Sequence, residues 1–126
     1  MEQDIITLAA EEGASLSSGS LRLYALPYGC VDLYAYDPVN RRCAVGIMVA
    51  TAHRRHGHAL AMLRALQQLA ANTYSLHLLY ADIAASNSAS LSLFAKAGYE
   101  RCGLFKEWLA LDGHYVDTIR MQLILQ

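Results

Sequence analysis

The sequence has no surplus of either charge: ten Lys and Arg stand against eleven Asp and Glu, a formal net charge of −1. No global field therefore draws the chain to nucleic acid or to an anionic membrane. Cysteine is scarce as well. Cys30, Cys43 and Cys102 form an odd, widely spaced set without a CxxC, which argues against a disulfide framework and a zinc knuckle alike and fits a reducing cytoplasm. Nowhere do about eighteen apolar residues run together, as a membrane span needs, and the opening Met-Glu-Gln-Asp lacks the basic and then apolar regions of a secretory leader. The expectation is a soluble, unsecreted, cytoplasmic protein. Charged residues make up only 17% and apolar ones 55%, the balance of a packed domain and not of a disordered tail. At 126 residues the chain reads as one domain, 1–126, with a single core on or beside which any ligand site must be built.

The patterns that are present divide the chain into short elements. Residues 4–14, DIITLAAEEGA, read as a short helix with Ile5, Leu8 and Ala9 on one face, broken by the Ser/Gly run at 15–20. LRLYAL and CVDLYAYD are strand-like and joined by a Pro-Tyr-Gly turn; Asp37-Pro-Val-Asn40 turns the chain again into RRCAVGIMVA, which predicts a three-stranded antiparallel meander. Leu60, Leu63, Leu66 and Ala70 fall at helical spacing, so 57–72 reads as an amphipathic helix. LHLLYADIAA is a near-continuous apolar run, the mark of a strand covered on both faces. Asn87 can cap the next helix, whose Leu91, Phe94 and Ala97 share a side and which Gly98 ends. Strand, helix, strand, helix implies a parallel crossover in mid-sheet, and Asp112-Gly113 marks a tight turn in a C-terminal hairpin. The sum is an α/β domain with a mixed sheet of about six strands.

The stretch TAHRRHGHALAML, residues 51–63, packs two arginines and three histidines around one glycine where a strand gives way to a helix. Four N–H groups at a helix start lack internal partners, and the helix dipole adds about half a positive charge there. An anion is the natural guest. Gly57 lets a phosphate approach the main chain, and Arg54 and Arg55 supply cationic donors. The stretch lacks both GxGxxG and the Gly-Lys-Ser/Thr of a P-loop. A metal site at His53, His56 and His58 is disfavoured, because no carboxylate or cysteine completes a tetrahedral set. A solvated basic turn that binds nothing is the plain alternative.

IMVATAHRRHGHALAML resembles motif A of the GNAT superfamily of N-acetyltransferases, whose RxxGxG/A loop matches Arg54, Gly57 and Ala59. LYADIAASNSASLSLFAKAGYERCGLF resembles the second signature of that family through Asn87, Ser90, Leu93, Phe94, Lys96, Gly98, Tyr99 and Gly103. KEWLALDGHYVDTIRMQLIL is similar to the closing strands of the branch that acts on protein N-termini and polyamines. The resemblance implies a GNAT-like mixed, mostly antiparallel sheet with helices on both faces, lacking the family's usual first strand and helix. It implies acetyl-CoA as cofactor, no metal, and an amine acceptor, either a small amine or polyamine or a peptide N-terminus. The pantetheine arm would pair with the backbone at Ile47, Met48 and Val49, whose side chains read as core. The pyrophosphate would take main-chain N–H groups from Arg55 through His56, Gly57 and His58 to Ala59. Asn87 would touch the arm, Lys96 would approach the nucleotide end, and Ser90 and Phe94 would stand near the sulfur.

Acetyl transfer needs a neutral amine, a donor for the developing oxyanion and a proton for the leaving thiolate. Many relatives carry a tyrosine acid where this chain has Phe94, so Ser90 becomes the substitute, against its reading as a first-turn residue bonded to its own backbone. Tyr80 and Tyr115 are alternative phenols. Glu107 is the candidate base, expected to share a strand face with Phe105 and Leu109 while Lys106 and Trp108 point the other way; an ordinary surface charge is the alternative. Asp32, Tyr34 and Trp108 are candidate acceptor-side residues. A catalytically silent acyl-CoA-binding or dimerisation module is the second reading. The missing N-terminal elements lead to the expectation of a homodimer that covers the exposed edge and cleft wall.

Overall fold

Burial near the N-terminus alternates with a period of two: Ile6, Leu8 and Ala10 are partly buried, while Thr7 and Ala9 are exposed. That is a strand's period, and β1 (Ala9–Ala10) pairs antiparallel with Tyr24 and Leu23. The helix expected over 4–14 is thus corrected to an edge strand and a turn; Asp4 and Ile5 lie outside the described residues, which are 6–125 of this computed structural model. Three apolar positions offer too narrow a face to offset helix nucleation, Gly13 sits at φ 81°, and an edge strand gains hydrogen bonds from its neighbour instead.

The meander follows as β2 (Leu21–Ala25), β3 (Gly29–Asp37) and β4 (Arg42–Val49). After it come α1 (His58–Asn72), β5 (Leu78–Ala84), α2 (Ser88–Lys96), β6 (Glu100–Leu111) and β7 (His114–Ile124). One seven-stranded sheet results, in the order β1-β2-β3-β4-β5-β7-β6, with β4–β5 its parallel neighbours and the rest antiparallel. The strand beyond the expected six is β1. Asp112 and Gly113 both have positive φ, 50° and 82°, as a two-residue hairpin turn with the right twist requires.

Strand register puts Leu21, Leu33 and Val45 on one face, with Cys43, Leu79, Ala81 and Met121 continuing it across the parallel pair. Met62, Leu63 and Leu66 of α1 and Leu91 and Phe94 of α2 join the same buried cluster. Complete burial of a leucine such as Leu66 contributes about 2 kcal/mol. The Gln67 Nε2 amide donates to the carbonyl of Ala97 at 2.7 Å, tying α1 to the end of α2. Both helices therefore lie on one face, where helices on both faces were expected. The reason is topological: β4 to β5 and β5 to β6 are parallel crossovers that advance in the same direction, and right-handed crossovers then place both helices on the same side.

The apolar run of β5 is corrected with it. Leu79, Ala81 and Ile83 are buried, but Leu78, Tyr80 and Ala84 are only partly so and Asp82 is exposed, because no described helix covers their face. That open face carries Asp32, Tyr34, Gly46, Tyr80, Asp82 and Arg120 in register. Among the described residues no helix is long and apolar enough to cross a membrane.

Candidate active site

Strands β4 and β5 pair only through Arg42, Cys43 and Ala44 against Leu78, Leu79 and Tyr80. Beyond that point β3 holds β4 as far as Val49, and β7 holds β5 as far as Ala84. Each strand follows its other neighbour, so the two diverge and residues 45–49 face a wedge in place of a partner. Backbone amides left without a strand partner suit an extended amide-bearing ligand. The wedge holds a cleft of roughly 210 Å³, bounded by Tyr34, Gly46 and Asp82 from the sheet and by Asn87, Ser90 and Phe94 from the α2 side.

A second cleft, about 440 Å³, opens where β4 ends and α1 begins. Arg54 Nε donates to the carbonyl of Val49 at 3.1 Å, pinning the loop to the strand end. Gly57, at φ 80°, precedes the helix and supplies no side-chain cap; a Cβ there would meet nothing within 4 Å. The first turn of α1, where N–H groups lack helical partners, lines this cleft through His58, Ala59 and Leu60, with Arg54, Arg55 and Lys96 in the same walls. His58 stacks on Tyr28 at 3.9 Å and His53 meets that ring edge-on at 5.1 Å, so an aromatic contact holds two of the three histidines. His56 is exposed. Among the described residues no three His, Cys, Asp or Glu side chains are grouped to hold a metal.

Residues 9–100 match the acetyltransferase (GNAT) domain family. The chain belongs to the GNAT acetyltransferases. It is 24% identical over 96 residues to the spermidine N(1)-acetyltransferase of Vibrio cholerae, across 76% of this chain and 56% of that protein. The chain therefore spans little more than half the length of this curated relative. A crystal structure of the spermidine N-acetyltransferase from Vibrio cholerae in complex with CoA and spermine is similar at a TM-score of 0.82 and 21% identity, over 86% of this chain and 68% of that one. A chimera of the Vibrio cholerae enzyme SpeG with hSSAT gives the same TM-score and identity over the same shares. The fold of this GNAT domain is shared with both.

The sequence candidates of the GNAT domain separate into those at the wedge and those away from it. Ile47 and Val49 are partly buried against the core, but Met48 is 61% exposed on the open face, so its side chain is not core as expected. Ser90, its N–H donated to the Asn87 side chain, lines the wedge with Phe94, which is buried edge-on against Tyr99 at 4.9 Å. The Tyr99 hydroxyl is buried with no partner among the described residues, and burial pushes its pKa up. Tyr34 lies at the wedge across Gly46, where a Cβ would come 3.7 Å from its ring. Burial, then the nearby Asp82 carboxylate, raises the Tyr34 phenol. Asp32, beside it, is engaged by Arg22 at 2.7 and 2.9 Å.

Glu107 and Tyr115 stand on the part of the β6–β7 hairpin that extends beyond β5, and neither lines the wedge. Between Phe105 and Leu109 the register slips, Glu107 takes φ 51°, and its N–H donates to Asp117 Oδ1 at 2.8 Å. This bulge breaks strict alternation: Trp108 comes to 5.1 Å from the Phe105 ring, on the side where Glu107 was expected. Sequence reading missed Asp82, Arg120 and Tyr28. Asp82 and Arg120 meet because their strands are in register at that pair, information no single strand carries.

Proposed function

We propose that the chain is an acetyl-CoA-dependent N-acetyltransferase that moves an acetyl group to a primary amine. The observation that carries the reading is the wedge between β4 and β5 opening beside the uncapped start of α1. Acetyl-CoA supplies an acetyl group activated as a thioester. The main chain of 47–49 offers amides to the pantetheine arm, and the N–H groups of 55–59, with Arg54, Arg55 and Lys96 beside them, suit the pyrophosphate. In the reaction the amine nitrogen bonds the acetyl carbon and gives up one proton, the carbon–sulfur bond breaks, and the sulfur takes a proton. Ser90 is the hydroxyl on the α2 side of the wedge that can approach the sulfur, and Asn87 orients its turn. Glu107 and Tyr115 receive no role at the reacting atoms. The complex of the Vibrio cholerae enzyme with CoA and spermine supports a small amine as acceptor.

A second reading, a catalytically silent acyl-CoA-binding module, is favoured by Phe94, which cannot donate a proton from the wedge wall. Calorimetry with acetyl-CoA, followed by release of free CoA in the presence of a pooled amine library, separates the two. Binding with turnover supports the enzyme, binding without turnover the silent module, and absence of binding overturns both.

The three free thiols, two of them buried, suit a reducing cytoplasmic setting. A homodimer is part of the proposal: β6 is a twelve-residue edge strand whose Leu104 and Trp108 are 55% and 64% exposed. Leu104 and Trp108 on this unpaired edge offer a second copy apolar contacts between the exposed charges of Glu100, Arg101, Lys106 and Glu107. A light-scattering mass near 13.8 kDa at micromolar concentration overturns it.

A further inference from the structure

Arg120 sits in a cage of the kind that recognises organic cations. Its Nε and Nη2 donate to the two carboxylate oxygens of Asp82 at 2.7 and 2.9 Å. Its guanidinium carbon lies 4.3 Å from the centre of the Tyr80 ring and 5.2 Å from that of Phe105. A carboxylate flanked by aromatic rings binds ammonium and guanidinium groups through charge-assisted hydrogen bonds and attraction to the ring faces. Here the protein's own side chain is the guest. The cage borders the wedge through Asp82, which forms part of the wedge wall opposite Tyr34 and is the one carboxylate among its described lining residues. Asp32, next on that face, is likewise neutralised by Arg22.

We propose that Arg120, by filling this cage, excludes polycations from the acceptor mouth, so that the acceptor is an amine whose remainder is uncharged and apolar or aromatic. The proposal rests on the acetyl-transfer reading above. A second ammonium group brought to the mouth finds the charge of Asp82 cancelled and a guanidinium beside it. To bind, it must displace Arg120 from two charge-assisted hydrogen bonds and two ring faces. A single amine attacks as the free base and needs no carboxylate. Its apolar remainder can lie on Tyr34, 41% exposed, and Met48, two residues beyond Gly46 on the same face. Discrimination thus comes from a repulsive element built into the site as much as from an attractive one.

The test compares 2-phenylethylamine with spermidine as acceptors, by release of CoA thiol from acetyl-CoA, in the full chain and in Arg120→Gln, Arg120→Lys and Asp82→Asn. The unsubstituted chain should favour phenylethylamine in kcat/KM by about tenfold or more. Arg120→Gln, which frees the carboxylate, should shift the ratio toward spermidine by about tenfold. Arg120→Lys, which keeps a cation there, should shift it by less than about threefold. Should Arg120→Gln fail to fold, Asp82→Asn reads the same device, since an unpaired guanidinium at the mouth should disfavour spermidine further. Preference for spermidine in the unsubstituted chain, or a ratio that both neutral variants leave unmoved, overturns the proposal. Failure of the acetyl-transfer reading looks different: no CoA is released with either amine, although acetyl-CoA binds.

Discussion

The Asn87 side chain accepts the backbone N–H of Ser90 at 3.1 Å, so one residue both begins α2 and sets the turn whose hydroxyl lines the wedge. Helix start and candidate chemistry are the same local structure here, and a change at Asn87 has to register in both.

Asn87→Ala should lower stability by about 1 kcal/mol, the worth of a helix N-cap, seen as a fall of a few degrees in the melting temperature. Acetyl transfer should fall with it as Ser90 loses its anchor. Asn87→Asp, which keeps the accepting oxygen, should restore the melting temperature. Equal melting of all three proteins shows that the cap bond contributes nothing.

At Gly57 the space a Cβ would enter is empty of protein, and in the proposal it is where phosphate oxygens lie. Gly57→Val should therefore weaken CoA binding by about tenfold or more, while the positive φ costs about 1–2 kcal/mol of stability. Isothermal calorimetry with CoA and a thermal melt read the two effects separately. An unchanged CoA affinity in the folded variant misplaces the cradle.

EDTA should alter neither the melting temperature nor the rate of CoA release. His53 and His58 are held by the Tyr28 ring, and the proposed chemistry needs no ion. A stoichiometric metal by elemental analysis, lost together with stability on chelation, revives a histidine site.

Burial pushes the Cys43 thiol up to about 11. Between about pH 9, near where an unfolded cysteine titrates, and that value, the native state keeps a proton that the unfolded chain has lost. The thiol's contribution is therefore complete below pH 9 and declines as pH rises toward 11. Thermal melts across that range should show the decline. At pH 8 a chromogenic disulfide should label exposed Cys102 quickly and buried Cys30 and Cys43 only on unfolding. Rapid labelling of all three in the native protein contradicts the burial.

Local chemistry made much of this legible without a fold. The helix expected over 57–72 forms as His58–Asn72, the Asn87 cap and the Asp112-Gly113 turn are where their residue types put them, and Gly98 ends α2 at φ 97°. Each depends on a few neighbouring residues and on backbone preferences that no distant contact overrides. The 4–14 segment misled because its apolar spacing fits a weak helix as well as an edge strand, and only the free edge of β2 decides between them.

By itself the sequence determined the order of elements from β2 onward, the strand–loop–helix at 50–58 and the presence of Phe94 in the second signature, all properties of contiguous residues. Tertiary structure decided which face the helices cover, how far β4 and β5 run together before parting, and which side chains meet across strands. Asp82 and Arg120 lie 38 residues apart, and nothing in either segment alone specifies that they pair. That pairing follows from the register of β5 on β7, which the hydrophobic face of the whole sheet sets, because a slip of one residue would turn every core side chain to water.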